Sequence, residues 1–322
     1  MCIWLNDSMN DLTEWNFDYI NHYDSELIID HDADSSAVDD VVKAVDGEKI
    51  MKTVIEIKSS TVKRQGSLLV LDGGDMVTPT DDSWNKVEIR DDEVSISKKM
   101  ANLLGVGVGD SVKLHIIDSN RWVEIKIDKI HADPNTQGLV MSKGKLEDLG
   151  LNYTPSIIVT DKHVDKNYSA IKSYTTKEFR IENWQGLTQA AWMLIYVLTA
   201  FASILAVIVL YNLGLLSFTE IEKEIATLKI LGFKTKTLRK LLLTQNLWFT
   251  TIGFILGVPL GNYLLKTIWM SSGDSYYIIP SISITTLLLT GIITFSLSIL
   301  VNLMFSGKIK RLDMVGTLKN GE

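Results

Sequence analysis

Leu187-Thr-Gln-Ala-Ala-Trp-Met-Leu-Ile-Tyr196-Val-Leu-Thr-Ala-Phe-Ala-Ser-Ile-Leu-Ala206-Val-Ile-Val-Leu-Tyr-Asn-Leu-Gly-Leu-Leu216-Ser-Phe-Thr219 contains no charged residue. Its centre, Trp192 to Tyr211, is apolar on every face of a helix. Crossing the hydrocarbon core of a bilayer takes about 20 such residues. Two later runs, Leu241 to Leu265 and Ser275 to Gly307, are equally free of charge and also long enough. Helices buried in a soluble core are shorter and interrupted by polar faces. The three runs are therefore expected to be membrane spans.

Lysine and arginine in the short connections set the orientation. The first connection carries Lys223, Lys229, Lys234, Lys236, Arg239 and Lys240. The second, between Thr267 and Ser281, carries neither, and its one charge is Asp274. The tail carries Lys308, Lys310, Arg311 and Lys319. The first connection and the C-terminus are expected on the cytoplasmic side of a plasma membrane. The second connection and residues 1–186 are expected outside. Trp184, Trp192, Trp248, Trp269, Tyr276 and Tyr277 fall near the span ends, where interfacial aromatics are expected.

Ahead of the spans the composition changes. Over the whole chain of 322 residues, hydrophobic residues are 46% and charged residues 22%, with a net charge of −7. Most of that charge precedes Gly186. No basic stripe is available for phosphates, which argues against nucleic acid as a partner. The single cysteine, Cys2, excludes a disulfide scaffold. The first residues, Met1-Cys-Ile-Trp-Leu-Asn-Asp-Ser, lack the basic and apolar regions of a signal peptide. For an outward domain without a leader, the simplest expectation is that the sequence is the C-terminal part of a longer protein, with a preceding membrane helix either outside this sequence or in a separate piece.

From Lys49 onward the pattern alternates with period two. Val54 to Ile57, Ser67 to Leu71, Val87 to Ile89, Val112 to Ile117, Val123 to Ile130, Ser156 to Val159 and Ala170 to Tyr174 read as half-buried strands. A helix is expected over Lys98 to Leu104, capped by Ser97 and stopped by Gly105. A second is expected over Lys143 to Leu149, ended by Gly150. Residues 1–50 are weakly patterned. Asp30-His-Asp-Ala-Asp34 fails as a calcium loop, since Ser35 and Val41 stand where Gly and Glu are needed, and it reads as an acidic loop. The fold class is an α+β domain, 1–186, followed by an all-α membrane bundle of three transmembrane helices, 187–322.

No catalytic set emerges. His22, His31, His115, His131 and His163 have no metal-ligand spacing. His115 and His131 lie within strand patterns and read as structural. There is no nucleophile elbow, no His-Glu-x-x-His and no P-loop. No cofactor is expected in this chain.

The connection at 219–233 is amphipathic. Ile221, Ile225, Leu228 and Leu231 share one helical face; Glu220, Glu222, Lys223, Glu224 and Thr227 share the other. Gly232 stops the helix and Phe233 follows. A mainly acidic polar face suits an anionic membrane surface poorly. A short helix presenting apolar and acidic groups suits a protein groove.

Glu224-Ile-Ala-Thr-Leu-Lys-Ile-Leu-Gly-Phe233 resembles the loop signature of FtsX/MacB/LolC-type ABC transporter permeases. Gly253-Phe-Ile-Leu-Gly257-Val-Pro-Leu-Gly261 is similar to that family's Gly-rich stretch in the next helix. Ile96 to Leu114 is similar to its extracytoplasmic domain. Where the family often has a basic residue before the loop Glu, this chain has Ile221 and Glu222. Gln245 stands where the family often has an acid. The resemblance implies a permease subunit without enzymatic activity of its own. ATP would be bound by a separate cytoplasmic ABC ATPase subunit, which docks on a coupling helix at 219–233 through Glu220, Glu224, Ile225, Leu228, Leu231, Gly232 and Phe233. Gly253, Gly257 and Gly261 would make a seam for helix packing. A second permease half or copy and the lipid bilayer complete the expected partners. Two functions fit. One is export or extraction of a lipid, lipoprotein, peptide or drug. The other is transmembrane signalling to an extracellular enzyme such as a cell-wall hydrolase.

Overall fold

The computed structural model describes residues 10–117, 121–165, 167–232, 235–271, 273–279 and 283–310. It forms two compact units. One holds Ser8–Thr188 together with Thr267–Ile279; the other holds Gln189–Lys266 and the chain from Pro280 onward.

The first unit is built on a mixed sheet of ten strands. Its hub is β2, Glu48–Lys58, where Ile55 and Ile57 are fully buried and Lys52, Val54 and Lys58 face out. That alternation is the period-two pleat, with one face against the core. β2 pairs along one edge with β3, Lys63–Leu71, from Ile50↔Leu71 to Lys58↔Lys63. Its other edge is shared. β9, Ile157–Thr160, takes Glu48 to Ile50, and β5, Ser111–Ile116, takes Ile55 to Lys58. The main path runs β10 (Ile171–Thr176), β1 (Ser25–Ile29), β9, β2, β3, β8 (Gly138–Ser142), β4 (Val94–Ser97), β7 (Lys129–His131); β6 (Trp122–Lys126) extends β5. Pairs β3–β8 and β4–β7 are parallel and the others antiparallel.

Helix α3, Lys98–Leu104, covers the sheet and drives the fully buried Met100 among Ile55, Leu68, Ile96 and Leu139. Ser97 Oγ caps it by accepting from Met100 N, and the chain leaves through Gly105 at φ 67°. α4, Lys143–Asp148, is capped by Ser142, whose Oγ accepts from Lys145 N at 3.0 Å. These two helices, β2, β3, β5, β9 and β10 follow the sequence patterns.

Other expectations are corrected. Val87 to Ile89 forms no strand; the neighbouring Lys86 makes a single bridge to Thr80. The run Val123 to Ile130 breaks at Ile127-Asp128 into β6 and β7, because Asp128 turns its carboxylate onto Val94 N at 3.0 Å. β4 and β8 are uninterrupted buried runs without alternation. Residues 10–50, weakly patterned in sequence, carry regular structure. Trp15–Ile20 is a π-helix, α1; after β1, the acidic stretch ends at Asp34, the N-cap of α2, Ser35–Val45. Val38, Val41 and Val45 of α2 pack on Leu27 and Ile158.

The second unit contains most of α5 (Lys177–Ile230), α6 (Thr235–Ser271) and α7 (Ile284–Lys310). Tyr196–Leu216, Leu247–Ile268 and Ile284–Val301 are long and apolar enough to cross a membrane. Their apolar side chains are largely exposed: Phe201 by 66%, Ile255 by 62%, Ile292 by 63%. Such surfaces require lipid or other helices as solvent. α6 and α7 touch through Thr250 and Ser298, whose hydroxyls lie 2.7 Å apart in a buried pair, and through Phe254 and Phe295 at 6.0 Å.

Candidate functional site

Two stretches of chain join the membrane helices to the folded domain, and both are anchored. The first is the start of α5. Lys177 N donates to Asp24 O at 2.6 Å and Lys177 Nζ pairs with Asp18 at 2.8 Å. The Arg180 guanidinium lies over Tyr23 at 4.4 Å and faces Glu26 at 3.7 Å. Burial first, then the Glu26 carboxylate, push the Tyr23 hydroxyl above its ordinary range, so it stays protonated and donates to Glu26 Oε2 at 2.8 Å. One turn on, Trp184 packs against the cluster of Trp15, Ile50, Leu69 and Val140.

The second anchor is the α6–α7 connection. Tyr277 packs edge-on to Trp15 at 6.4 Å. Its backbone N–H donates to Pro134 O at 3.0 Å, and its hydroxyl to Asp82 Oδ1 at 3.2 Å. Ile278 and Ile279 join the same cluster, and Asp274 meets Arg64 at 3.3 Å. The receiving loop is stiff: Asp133 accepts from Asn135 N at 2.7 Å and Thr136 N at 2.6 Å. Asp82 is held from its other oxygen by Lys98 at the start of α3. Burial raises the Tyr277 pKa, keeping it a donor to Asp82.

Trp184 and Tyr277 were expected at the membrane interface. Both instead pack into the domain, because an apolar cluster around Trp15 was open to them. Trp15 and Arg180 carried no sequence motif. The apolar run Tyr276-Tyr-Ile-Ile279, beside a span and far from any helical period, was the signal available. Tyr276 and Trp248, exposed by 46% and 65%, remain surface aromatics.

The expected coupling helix is the end of α5, which runs unbroken from Lys177 to Ile230. Glu220, Glu224 and Ile225 lie within that helix. Leu228 is half-buried and Leu231 is 70% exposed. Gly232 adopts φ 89°, a left-handed conformation open to Gly without a steric cost. Leu231 N donates to Thr227 O at 3.0 Å, closing the last turn before it. Phe233 lies outside the described residues, as do Cys2, Lys234, Arg311 and Lys319. A Cβ added at Gly253 or Gly257 would meet no atom within 4 Å, and Gly261 is half-buried. The α6–α7 contact within the chain uses Thr250 and Phe254 instead.

The histidines divide by environment. His131 is buried and its Nδ1 shares a hydrogen with Ser95 Oγ at 2.8 Å; burial lowers its pKa to about 4. His115 stacks on Trp122 at 4.9 Å and meets Glu56 at 3.1 Å across β2 and β5. Asp24, His163 and Glu178 bring potential metal-ligand atoms within 4.8 Å of one another, a grouping invisible in their spacing. Asp24 is half-buried and the other two exposed, with His163 facing Asp24 at 3.5 Å.

Residues 196–310 match the family model described as FtsX-like permease C-terminal. The chain carries an FtsX-like permease C-terminal domain. That domain takes in the three candidate spans, the end of α5 and the anchored α6–α7 connection. No curated protein matches the chain. Among solved structures, the extracellular domain of the noncanonic ABC-type transporter YknZ from Gram-positive bacteria is similar at 14% identity and a TM-score of 0.30, over 44% of this chain and 84% of that one.

Proposed function

We propose that this chain is the permease subunit of an ABC-type transporter, without catalytic activity of its own and driven by a separate cytoplasmic ATPase. One observation carries the reading: within a chain that has the FtsX-like domain, α5 is a single helix of 54 residues ending at the Gly232 turn. Within the second unit the helix runs unbroken from Gln189 to Ile230, and its apolar part, Tyr196–Leu216, matches the ~20 residues needed to cross the hydrocarbon core. Force applied to its last turns is carried into that span rather than lost in a hinge. Its first turns are fixed to the sheet domain by Arg180 and Trp184.

In this reading the ATPase binds ATP and docks on Glu220, Glu224, Ile225, Leu228, Leu231, Gly232 and Phe233. Two ATPase states with different affinity for this element bias two postures of the permease. The sheet domain faces outward. The α6–α7 connection, free of Lys and Arg, is anchored to that domain, which supports one side for both. The cargo is an amphiphile: a lipid, lipoprotein, peptide or drug that is exported or extracted. The open faces of Gly253 and Gly257 suit a second permease half or copy, since nothing in the described chain covers them.

Purification of the full chain from native membranes, with mass spectrometry of the bound proteins, tests the assignment. A P-loop ATPase is expected with the wild type and is lost with the Leu228→Asp, Leu231→Asp double variant. Absence of such an ATPase from intact wild-type complexes would contradict it.

A further inference from the structure

Two irregular pieces of backbone turn aromatic rings toward one cavity. The first is α1, a π-helix, whose Asn21 N reaches back to Asn16 O at 3.0 Å. π-Helical turns are rare and cluster at functional sites. This one places Trp15 in the core and leaves Tyr19 40% exposed. The second is Trp84, at φ 65°. A bulky residue there is strained, and such strain persists where surrounding contacts over-determine it. Asp81 supplies those contacts. Its carboxylate accepts from Ser83 N at 2.8 Å and Asn85 N at 2.9 Å, while its backbone bonds Asn85 O and Trp84 N. Trp84 is thereby laid against Tyr19, centroids 5.0 Å apart at 53°, and backed by Trp15 at 6.4 Å and 14°.

The cavity they wall has a volume of about 460 Å³ and is completed by His22, Asp75, Thr78, Thr80 and Lys86. That falls within the ~300–1,000 Å³ of small-molecule sites. The Tyr19 hydroxyl and the His22 ring have no hydrogen-bond partner among the described residues, whereas Thr78 and Thr80 are bonded within the protein. Asp75 and Lys86 pair at 3.1 Å on the rim, so the charges cancel.

We propose that this cavity binds a neutral sugar ring, one C–H face packed on the aromatic wall that Tyr19 and Trp84 form together, with Tyr19, His22, Asp75 and Lys86 taking its hydroxyls. An alkyl chain would leave those polar groups unanswered. A phosphate or other anion would meet Asp75 and the neighbouring carboxylate of Glu48, which accepts from Asp75 N. A bare cation would compete with Lys86 for Asp75. A pyranose alone among these is apolar on its faces and polar on its rim. The inference rests on the sheet domain and not on ATPase coupling.

The test is calorimetric titration of the full chain, in phospholipid nanodiscs free of sugar headgroups. The probes are an N-acetylglucosamine tetramer, maltotetraose, an apolar tetrapeptide and a polyphosphate. Trp84→Gly removes the ring at a position whose φ suits glycine, so the fold is expected to survive, checked by near-ultraviolet circular dichroism. Tyr19→Phe keeps the ring and deletes the hydroxyl. Expected are binding of at least one neutral oligosaccharide, weakening by at least ~10-fold in Trp84→Gly, and weakening by about 5-fold in Tyr19→Phe. Preference for the amino-sugar or the glucose chain separates a cell-wall-type glycan from other glycans. No neutral oligosaccharide bound, binding unchanged in both variants, or tighter binding of the peptide or polyphosphate would overturn the proposal.

Discussion

His131 is neutral in the fold because burial disfavours its charged form, and its pKa falls from an ordinary value near 6.5 to about 4. The unfolded chain therefore binds the proton first as pH drops. Stability is full above about pH 6.5, declines as pH falls toward 4, and loses about 3 kcal/mol over that window. His131→Asn, which keeps an acceptor near Ser95 Oγ, is expected to remove that part of the acid slope. Thermal unfolding followed by tryptophan fluorescence from pH 7 to pH 4 reads it. Ser97 acts twice, accepting from Met100 N as the α3 cap and from Gly138 N at 3.0 Å. Ser97→Ala leaves the buried Gly138 N–H unanswered as well as the cap, and is expected to cost about 2 kcal/mol. At Gly138 itself a Cβ would sit 1.9 Å from Ser67 O. Gly138→Ala must part β3 from β8, and soluble expression or thermal midpoint is expected to drop more than for Ser97→Ala. The Ser97–Gly105 frame of α3 was legible, since cap and stop residues act locally. The second role of Ser97 was not, because its partner lies 41 residues away.

Among the elements, legibility followed the physical origin of each signal. β2 and β5 alternate because one face of each is covered, and the pattern shows it. β8, Gly-Leu-Val-Met-Ser, is buried along nearly its whole length between β3 and β4, so no alternation survives to be read. α2 was hidden because its N-cap, Asp34, ends a run of acids that reads as loop. The helical course of the chain as far as Ile230 was legible from the stripe of Ile221, Ile225, Leu228 and Leu231. The α6–α7 anchor was not: Tyr277 is an ordinary interfacial aromatic until Trp15, far away in sequence, is brought beneath it. The anchor makes its own prediction. Tyr277→Ala loses the Trp15 contact and the Asp82 bond, and is expected to lower the sheet domain's thermal midpoint by several degrees. Asp274→Asn removes a half-exposed ion pair and is expected to change it by about a degree or less. Protease cleavage within Thr267–Ile279 is expected to rise in Tyr277→Ala alone.

On the scale of the whole molecule, the chain holds a folded sheet domain, to which the start of α5 and the α6–α7 connection belong, and a unit of three candidate spans in which Leu231, at the end of α5, is exposed. The central claim is that an ATPase docks on that end of α5 and moves it. Site-directed photo-crosslinking at Leu231 in intact membranes tests this most directly, with Tyr276 as the control position on the α6–α7 connection. The account predicts an adduct between Leu231 and a P-loop ATPase, and none from Tyr276. Adducts at Leu231 with lipid only, or an ATPase adduct from Tyr276, would contradict it.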